Sequence, residues 1–383
     1  MLTLLICSYI PWGHLEKPLS PSSLIKFLVL IGEEPEPWTR RTAIQPDLFA
    51  AEEHRAKLER LDDPLQEMEP VIDFAALAAE VEKIAPLEDQ PKGGRPSYQI
   101  ETMVRIVVLK RLYGRLDEQM EFQLLDRMSF KRFCGLEHSR TVPDRTTIWL
   151  FENRIGAAGA QALFEAVKRQ IERKGYIARG GQIVDATPVA CPASSTWSRE
   201  EREIVKRRAM PIDWSLAKRC QKDLDATWTK KHDKSHYGYE LSVCVDRKHE
   251  LIRRLKTDTA STHDSQHFEA LLDSGNTCRD VHADRGHASK EREEALQAKG
   301  YRPQIQRKAK PKRPLSQRQK QRNTRIARIR ARVEHVFAAI EAMGGKTIRT
   351  IGQARADFAL TLMAVCYNIR RTVWLVKSGA LPW

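Results

Sequence analysis

The chain has 383 residues, with 65 Lys+Arg against 50 Asp+Glu and a formal charge of +15, enough length for a full catalytic core and at least one further domain. The surplus is local: 13 basic residues and no acid lie between Arg302 and Arg332, and without them the balance is 52 against 50. Seven scattered cysteines with no Cys-x-x-Cys pair exclude a disulfide framework and a zinc knuckle, and no stretch is apolar for long enough to span a membrane.

In chain order, residues 1–46 are expected to be a disordered extension, of which residues 1 to about 35 match no element pattern and read as a spurious upstream start. The opening "MLTLLICSYIPW" lacks the basic flank of a signal sequence. Residues 47–92 form an acidic helical segment and linker, with one or two charged helices broken by Pro64 and Pro70 and a turn-rich stretch "DQPKGGRPS". From Glu33 to Asp89 there are 16 acids against 6 bases, which would be repelled by DNA and suits protein contacts.

Residues 93–156 read as a helical domain. Val104, Val107, Val108 and Leu112 share one helical face, Gly114 stops that helix, and Asp117 is expected to cap the next, over 118–127. "MSFKRFCGL" gives a short third helix, and Asp144 is the expected N-cap of a fourth that runs to Gly156. The lengths and turns fit a helix-turn-helix-like bundle, in which Arg145, Thr146 and Thr147 at a helix start would reach DNA. A plain helical bundle fits equally well.

The remainder, 157–383, reads as the catalytic domain. A helix over 157–173 leads to the strand "GGQIVDATPV", and "YGYELSVCVDRKHELIRRLKTD" alternates around a polar turn as a hairpin, with Asp246 at the turn. A helix over 263–273, the strand "RDVHADRG", a helix over 288–299, the strand "RPQIQR" and a long final amphipathic helix are expected to follow. Residues 190–235 form an insertion and 302–332 the basic segment. This order of elements is that of a ribonuclease-H-like α/β fold with a mixed sheet, carrying an all-α N-terminal domain.

Three acids then stand out. Asp185 and Asp284 end strand-like runs, the second where open sheets place their ligands, and Glu334 borders the buried stripe Ile329, Val333, Val336, Phe337, Ile340. Phosphodiester cleavage needs charge stabilised on both entering and leaving oxygens, which two divalent ions held by carboxylates accomplish. The plainer reading of Arg330 and Glu334 is an i, i+4 surface ion pair, worth roughly 0.3–0.5 kcal/mol. Asp264 reads as a helix N-cap, His232 and His236 as loop residues without a third metal ligand, and His282 and His287 as polar neighbours of Asp284.

The segments "GRPSYQIETMVRIVVLKRLYGRLDEQMEFQLLDRMSFKRFCGL", "VPDRTTIWLFENRI", "IVDATPV", "DLDATWTKKHDKSHYGYELSVCVD", "THDSQHFEALLD", "VHADRGHAS" and "RVEHVF", in this order, resemble bacterial insertion-sequence transposases of the DDE type over about residues 93–375. The resemblance implies that Asp185, Asp284 and Glu334 are both catalytic residues and metal ligands for two magnesium ions, with manganese able to substitute. It implies that Arg330 contacts DNA as the arginine of the family's Tyr-Arg-Glu-Lys signature. The basic run itself reads as a nucleic-acid contact that includes Arg325 and Arg328. Lys346 is a further expected DNA contact in place of a departed signature cation. The partner implied by the resemblance is double-stranded DNA, both terminal inverted repeats and target, bound by a homodimer. The implied location is the cytoplasm, at the nucleoid when bound, with no membrane.

The chain departs from the signature at Ala327 in place of the tyrosine, Glu341 in place of the lysine, and Glu240 after Tyr239 where relatives often have lysine. Two rivals therefore accompany the transposase reading: an inactive remnant that only binds DNA, and a ribonuclease-H-like nuclease without strand transfer.

Overall fold

The computed structural model describes residues 49–383, apart from 62, 88–95, 192–200, 202, 205–206, 208, 232–233, 263–265, 310–312 and 383. The N-terminal extension, most of the linker, part of the insertion, His232 and Asp264 thus lie outside the described residues. Met1–Lys57 and Leu58–Trp383 form separate units, and helix α1 (Ala50–Arg60) runs across the division.

The acidic segment then gives a single 3-10 turn, Gln66–Met68, and α2 (Phe74–Ile84), whose first turn is capped by Asp73 accepting from Ala76 N at 2.9 Å. The apolar spacing read from the sequence becomes α3 (Ile100–Leu112), ended by Gly114 at φ +58°. Asp117 is the first residue of α4 (Asp117–Asp126) and not its cap. The Gln119 side chain covers the Leu116 amide instead, while Asp117 pairs with Lys110. Next come α5 (Met128–Phe133) and α6 (Arg145–Arg173). Asp144 caps α6 as expected, accepting from Thr147 N at 2.7 Å, and Gly156 at φ 51°, ψ −164° breaks the helix where one helix was expected to end and another begin.

Among the described residues, six strands make one mixed sheet. They are β1 (Gln182–Ala190), β2 (Thr227–Lys231), β3 (Lys234–Asp246), β4 (Ile252–Thr259), β5 (Asp280–Ala283) and β6 (Arg302–Ile305). The order is β2-β3-β1-β5-β6, with β4 also on β3; β1 is antiparallel to β3 and parallel to β5, and β5 is parallel to β6. The insertion supplies β2 and the short helix α7 (Leu216–Arg219). Helix α8 (Lys290–Ala298) is capped by Ser289, and the final elements are α9 (Gln317–Ile340), a π-turn at Glu341–Gly345, and α10 (Gln353–Lys377).

Two expectations are corrected here. Of the helix foreseen over 263–273, residues 263–265 lie outside the described residues and 266–273 are turns and a short irregular stretch, although Phe268, Leu271 and Leu272 are buried beneath the sheet as its apolar residues should be. Asp246 is no surface turn residue. Its side chain is 0% exposed and accepts from His249 N (2.8 Å), Leu251 N (3.2 Å) and Arg253 Nε (2.9 Å). A carboxylate this deep persists because a guanidinium, itself 1% exposed, is buried with it. Burial alone would raise its pKa, but Arg253 and the hydrogen bonds from His249 outweigh that and hold it below the usual carboxylate value.

The apolar residues divide by strand parity. Ile183, Leu241 and Val243 belong to the large core shared with α2, α3, α6, α9 and α10, whereas Val184, Cys244 and Val281 face the other side with Phe268, Leu271 and Leu296. Each fully buried aliphatic side chain contributes roughly 1.5–3 kcal/mol. The insertion is tied to α10. Asp223 accepts from Ala226 N (3.1 Å), Tyr239 Oη (2.8 Å) and Gly352 N (3.1 Å), and Asp225 accepts from Gln353 N at 3.0 Å, so two distant acids close the open amides at the start of α10.

Candidate active site

The site grows from the parallel pairing of β1 with β5. The register sets Gln182 against Val281 and Ile183 against His282, and two further steps bring Asp185 opposite Asp284. On adjacent strands such residues share a face, about 5 Å apart along the hydrogen-bonding direction. It is the face that α9 covers, since that helix contacts both β1 and β5, its Val333 and Val336 share a core with Ile183, and its Arg330 reaches Asp185. The structure therefore places Asp185 on β1, Asp284 just past the neighbouring β5, and Glu334 on the helix above them.

Asp185 is the constrained member. Arg330 Nη2 donates to its Oδ2 at 2.6 Å and Ala186 N donates to its Oδ1 at 3.0 Å. Burial raises its pKa above the ordinary carboxylate value and Asp284 pushes it further, against the lowering by Arg330 and the Ala186 amide. The balance stays upward, so a buried negative charge here remains under-compensated.

Asp284 sits just past β5 and caps the 3-10 turn Arg285–His287, its Oδ1 accepting from Gly286 N at 2.8 Å. A Cβ on Gly286 would stand 3.0 Å from that oxygen, so the tight turn keeps the second carboxylate at the strand end. His287 Nε2 lies 3.8 Å from Asp284 and its ring packs on Phe268. His282 is buried, with Nδ1 3.3 Å from the Gln182 carbonyl oxygen, and burial lowers its pKa.

Glu334 is exposed on α9, one turn beyond Arg330. Arg330 does not form the i, i+4 pair with it; the guanidinium spans from Asp185 to Gln306 Oε1 (3.2 Å). Among the described residues no three His, Cys, Asp or Glu side chains are drawn into one metal-holding cluster. Asp185 and Asp284 converge, and Glu334 stands apart from them on the covering helix.

The remaining sequence candidates are dispersed. Arg325 and Arg328 are exposed on α9, and Lys346 lies beyond it, 3.6 Å from Glu341. Arg145 and Thr146 are exposed at the start of α6, but the Arg145 amide already donates to Glu121 (2.9 Å) and its guanidinium lies 3.9 Å from Glu118. The amide of Thr147 is taken by Asp144. Of the three departures, Ala327 is exposed on α9. Glu240, 4% exposed, is paired in register with Pro188, which puts it on the opposite sheet face from Asp185.

The run ending at Asp185 in the sequence continues as strand to Ala190. A mixed sheet with one aspartate inside β1 and another just past the end of β5, beneath a long basic helix, defines a ribonuclease-H-like domain, here joined to an N-terminal helical block. The family comparison is consistent with that class. The Transposase DDE domain model matches residues 178–369, just over half of the chain, and a Transposase domain (DUF772) model matches residues 52–154. The chain belongs to the DDE transposase family: it is a DNA transposase of the insertion-sequence type. A solved structure titled as a piggyBac transposase synaptic complex with hairpin DNA aligns with TM-score 0.45 and 10% identity, covering 84% of this chain and 77% of that one. Among the described residues, no helix is long and apolar enough to cross a membrane.

Proposed function

We propose that this transposase binds the terminal inverted repeats of its element, cleaves at the ends, and joins the freed 3′-hydroxyls to target DNA. The observation that carries this is the placement of Asp185 beside Asp284 under the helix that bears Glu334. Those three carboxylates would hold magnesium, with manganese able to substitute. The donor set is all hard oxygen, and the under-compensated charge at Asp185 is what a divalent cation would relieve. Such ions, when bound, supply Lewis-acid activation of the attacking oxygen and stabilisation of the leaving one.

The protein's own residues do the positioning. Arg330, fixed by Gln306, offsets part of the Asp185 charge and would meet a backbone phosphate. Arg325 and Arg328 extend the positive surface along α9, and Lys346 extends it past the π-turn. The helical block 93–156, through Arg145, Thr146 and Thr147, and the domain 157–383 together hold duplex DNA. Two copies act on paired ends.

The test is cleavage of a labelled duplex carrying the element's terminal repeat in magnesium, beside Asp185→Asn, Asp284→Asn and Glu334→Gln. Cleavage at the repeat end by the wild type and by none of the variants is expected. Binding without cleavage would favour the remnant reading, which Glu341 and Ala327 motivate; Glu240 does not support it, because its carboxylate lies on the far face of the sheet. Cleavage with no joining of pre-cut ends would leave a nuclease.

A further inference from the structure

A cavity of about 960 Å³ opens between the end of α3, the middle of α6, the segment after the π-turn and the start of α10. Six cations and two acids line it, and the acids are already committed: Asp117 and Glu152 pair with Lys110, and Glu152 also lies 3.4 Å from Arg111. Arg115, Lys346, Arg349 and Arg355 complete its positive wall, with Lys346 lying 3.6 Å from Glu341 at the edge. The walls also hold buried donors that nothing in the protein satisfies: Arg111 Nε, Arg115 Nε and Thr350 Oγ1 have no hydrogen-bond partner. Buried donors are nearly always paired, so three of them around one positive cavity point to an anionic occupant.

Size and lining narrow the occupant. The volume is that of a small-molecule pocket and takes one or a few nucleotides, never a paired duplex. Trp149, 49% exposed, lies on the wall and offers a ring face. Phosphate-binding cations beside an exposed aromatic ring are what single strands recognise, because every base has a face to stack. The location fits as well. Glu341 follows Glu334 by two turns, about 10 Å along the helix, and its contact with Lys346 leads from the acid-bearing face to the cavity mouth.

We propose that this cavity binds an unpaired stretch of DNA strand, its phosphates held by Arg115, Arg349 and Arg355 and one base stacked on Trp149. The proposal rests on the transposase reading only for the identity of the polymer.

The experiment uses the full chain and a short fluorescein-labelled oligothymidine, read by anisotropy, with thymidine monophosphate as competitor. A second oligonucleotide carries 2-aminopurine as a stacking reporter. Wild type should bind the strand and quench the aminopurine. Trp149→Ala should weaken binding roughly fivefold to a hundredfold and abolish the quench. Arg349→Gln, on an exposed segment, should weaken binding and flatten its salt dependence. Thermal melting of both variants should match the wild type. Unchanged strand binding by the two variants would overturn the proposal, and so would displacement of the strand by micromolar thymidine monophosphate, which would make the cavity a mononucleotide pocket. Cleavage of the terminal-repeat duplex, scored separately, decides the transposase reading, so the two can fail independently.

Discussion

Arg330 reaches back across 145 residues of sequence to donate to Asp185 at 2.6 Å, bypassing Glu334 one turn along its own helix. A charge placed there offsets the two influences that raise the aspartate's pKa, burial and the neighbouring Asp284. Arg330→Ala should therefore move the Asp185 pKa further up, because the guanidinium that favours the ionised carboxylate is lost. Asp185 must be ionised to hold a cation, so the acid limb of the pH–cleavage profile should shift to higher pH in the variant and partly return in Arg330→Lys. An unmoved limb would show that Asp185 is not the titrating group.

The buried pair at the β3–β4 turn makes a second prediction. Asp246 has a depressed pKa, so its contribution to stability is present above its unfolded pKa and lost as pH falls through the lower folded value. Arg253→Met would strand a carboxylate that is 0% exposed, at a cost of about 3–5 kcal/mol near neutral pH. That penalty should shrink in acid as Asp246 takes up a proton. Urea unfolding at several pH values measures both parts, and a pH-independent penalty would contradict the assignment.

Gly238 lies where β3 passes β1 and β2 at once. Its φ is +152°, and a Cβ there would meet the Val189 carbonyl oxygen at 2.1 Å and Cys191 N at 2.8 Å. Both are backbone atoms and cannot swing away. Gly238→Ala should destabilise the protein by about 3 kcal/mol or more, the upper end of overpacking costs, visible as a lowered Tm.

The basic face of α9 predicts a salt effect. If Arg325 and Arg328 each neutralise one phosphate, replacing both with alanine should reduce the slope of log affinity against log salt by about 1.8 on duplex DNA. Cleavage of saturating DNA should change far less than affinity. An unchanged slope would remove both residues from the DNA surface.

Much of this architecture was legible from local patterns. The apolar spacing of α3, the Asp144 cap, the alternating β3–β4 hairpin and the stop at Gly114 are each written within a few residues. The two aspartates were legible because each terminates an apolar run. What sequence could not supply were relations between distant side chains. Asp246 looks like any turn aspartate until Arg253 folds across it, and Asp223 and Asp225 look like loop acids until the amides of Gly352 and Gln353 arrive. Arg330 has Glu334 as an i, i+4 neighbour on its own helix, and only the fold brings Asp185 to it. Residues 266–273 show the reverse case, in which apolar residues pack under the sheet without needing helical hydrogen bonds. The basic cavity was invisible because its walls come from four segments.

The parallel pairing of β1 with β5 also sets a schedule for synthesis. Its partners, Ile183 and His282, are separated by most of a domain, and closing so long a loop is slow compared with forming the helices on either side. Glu334 emerges later still. The same late segment carries α10, whose apolar side chains share one core with α2, α3 and α6. A chain cut short before α9 therefore lacks the third acid and, with it, the helix that completes the core of its N-terminal block.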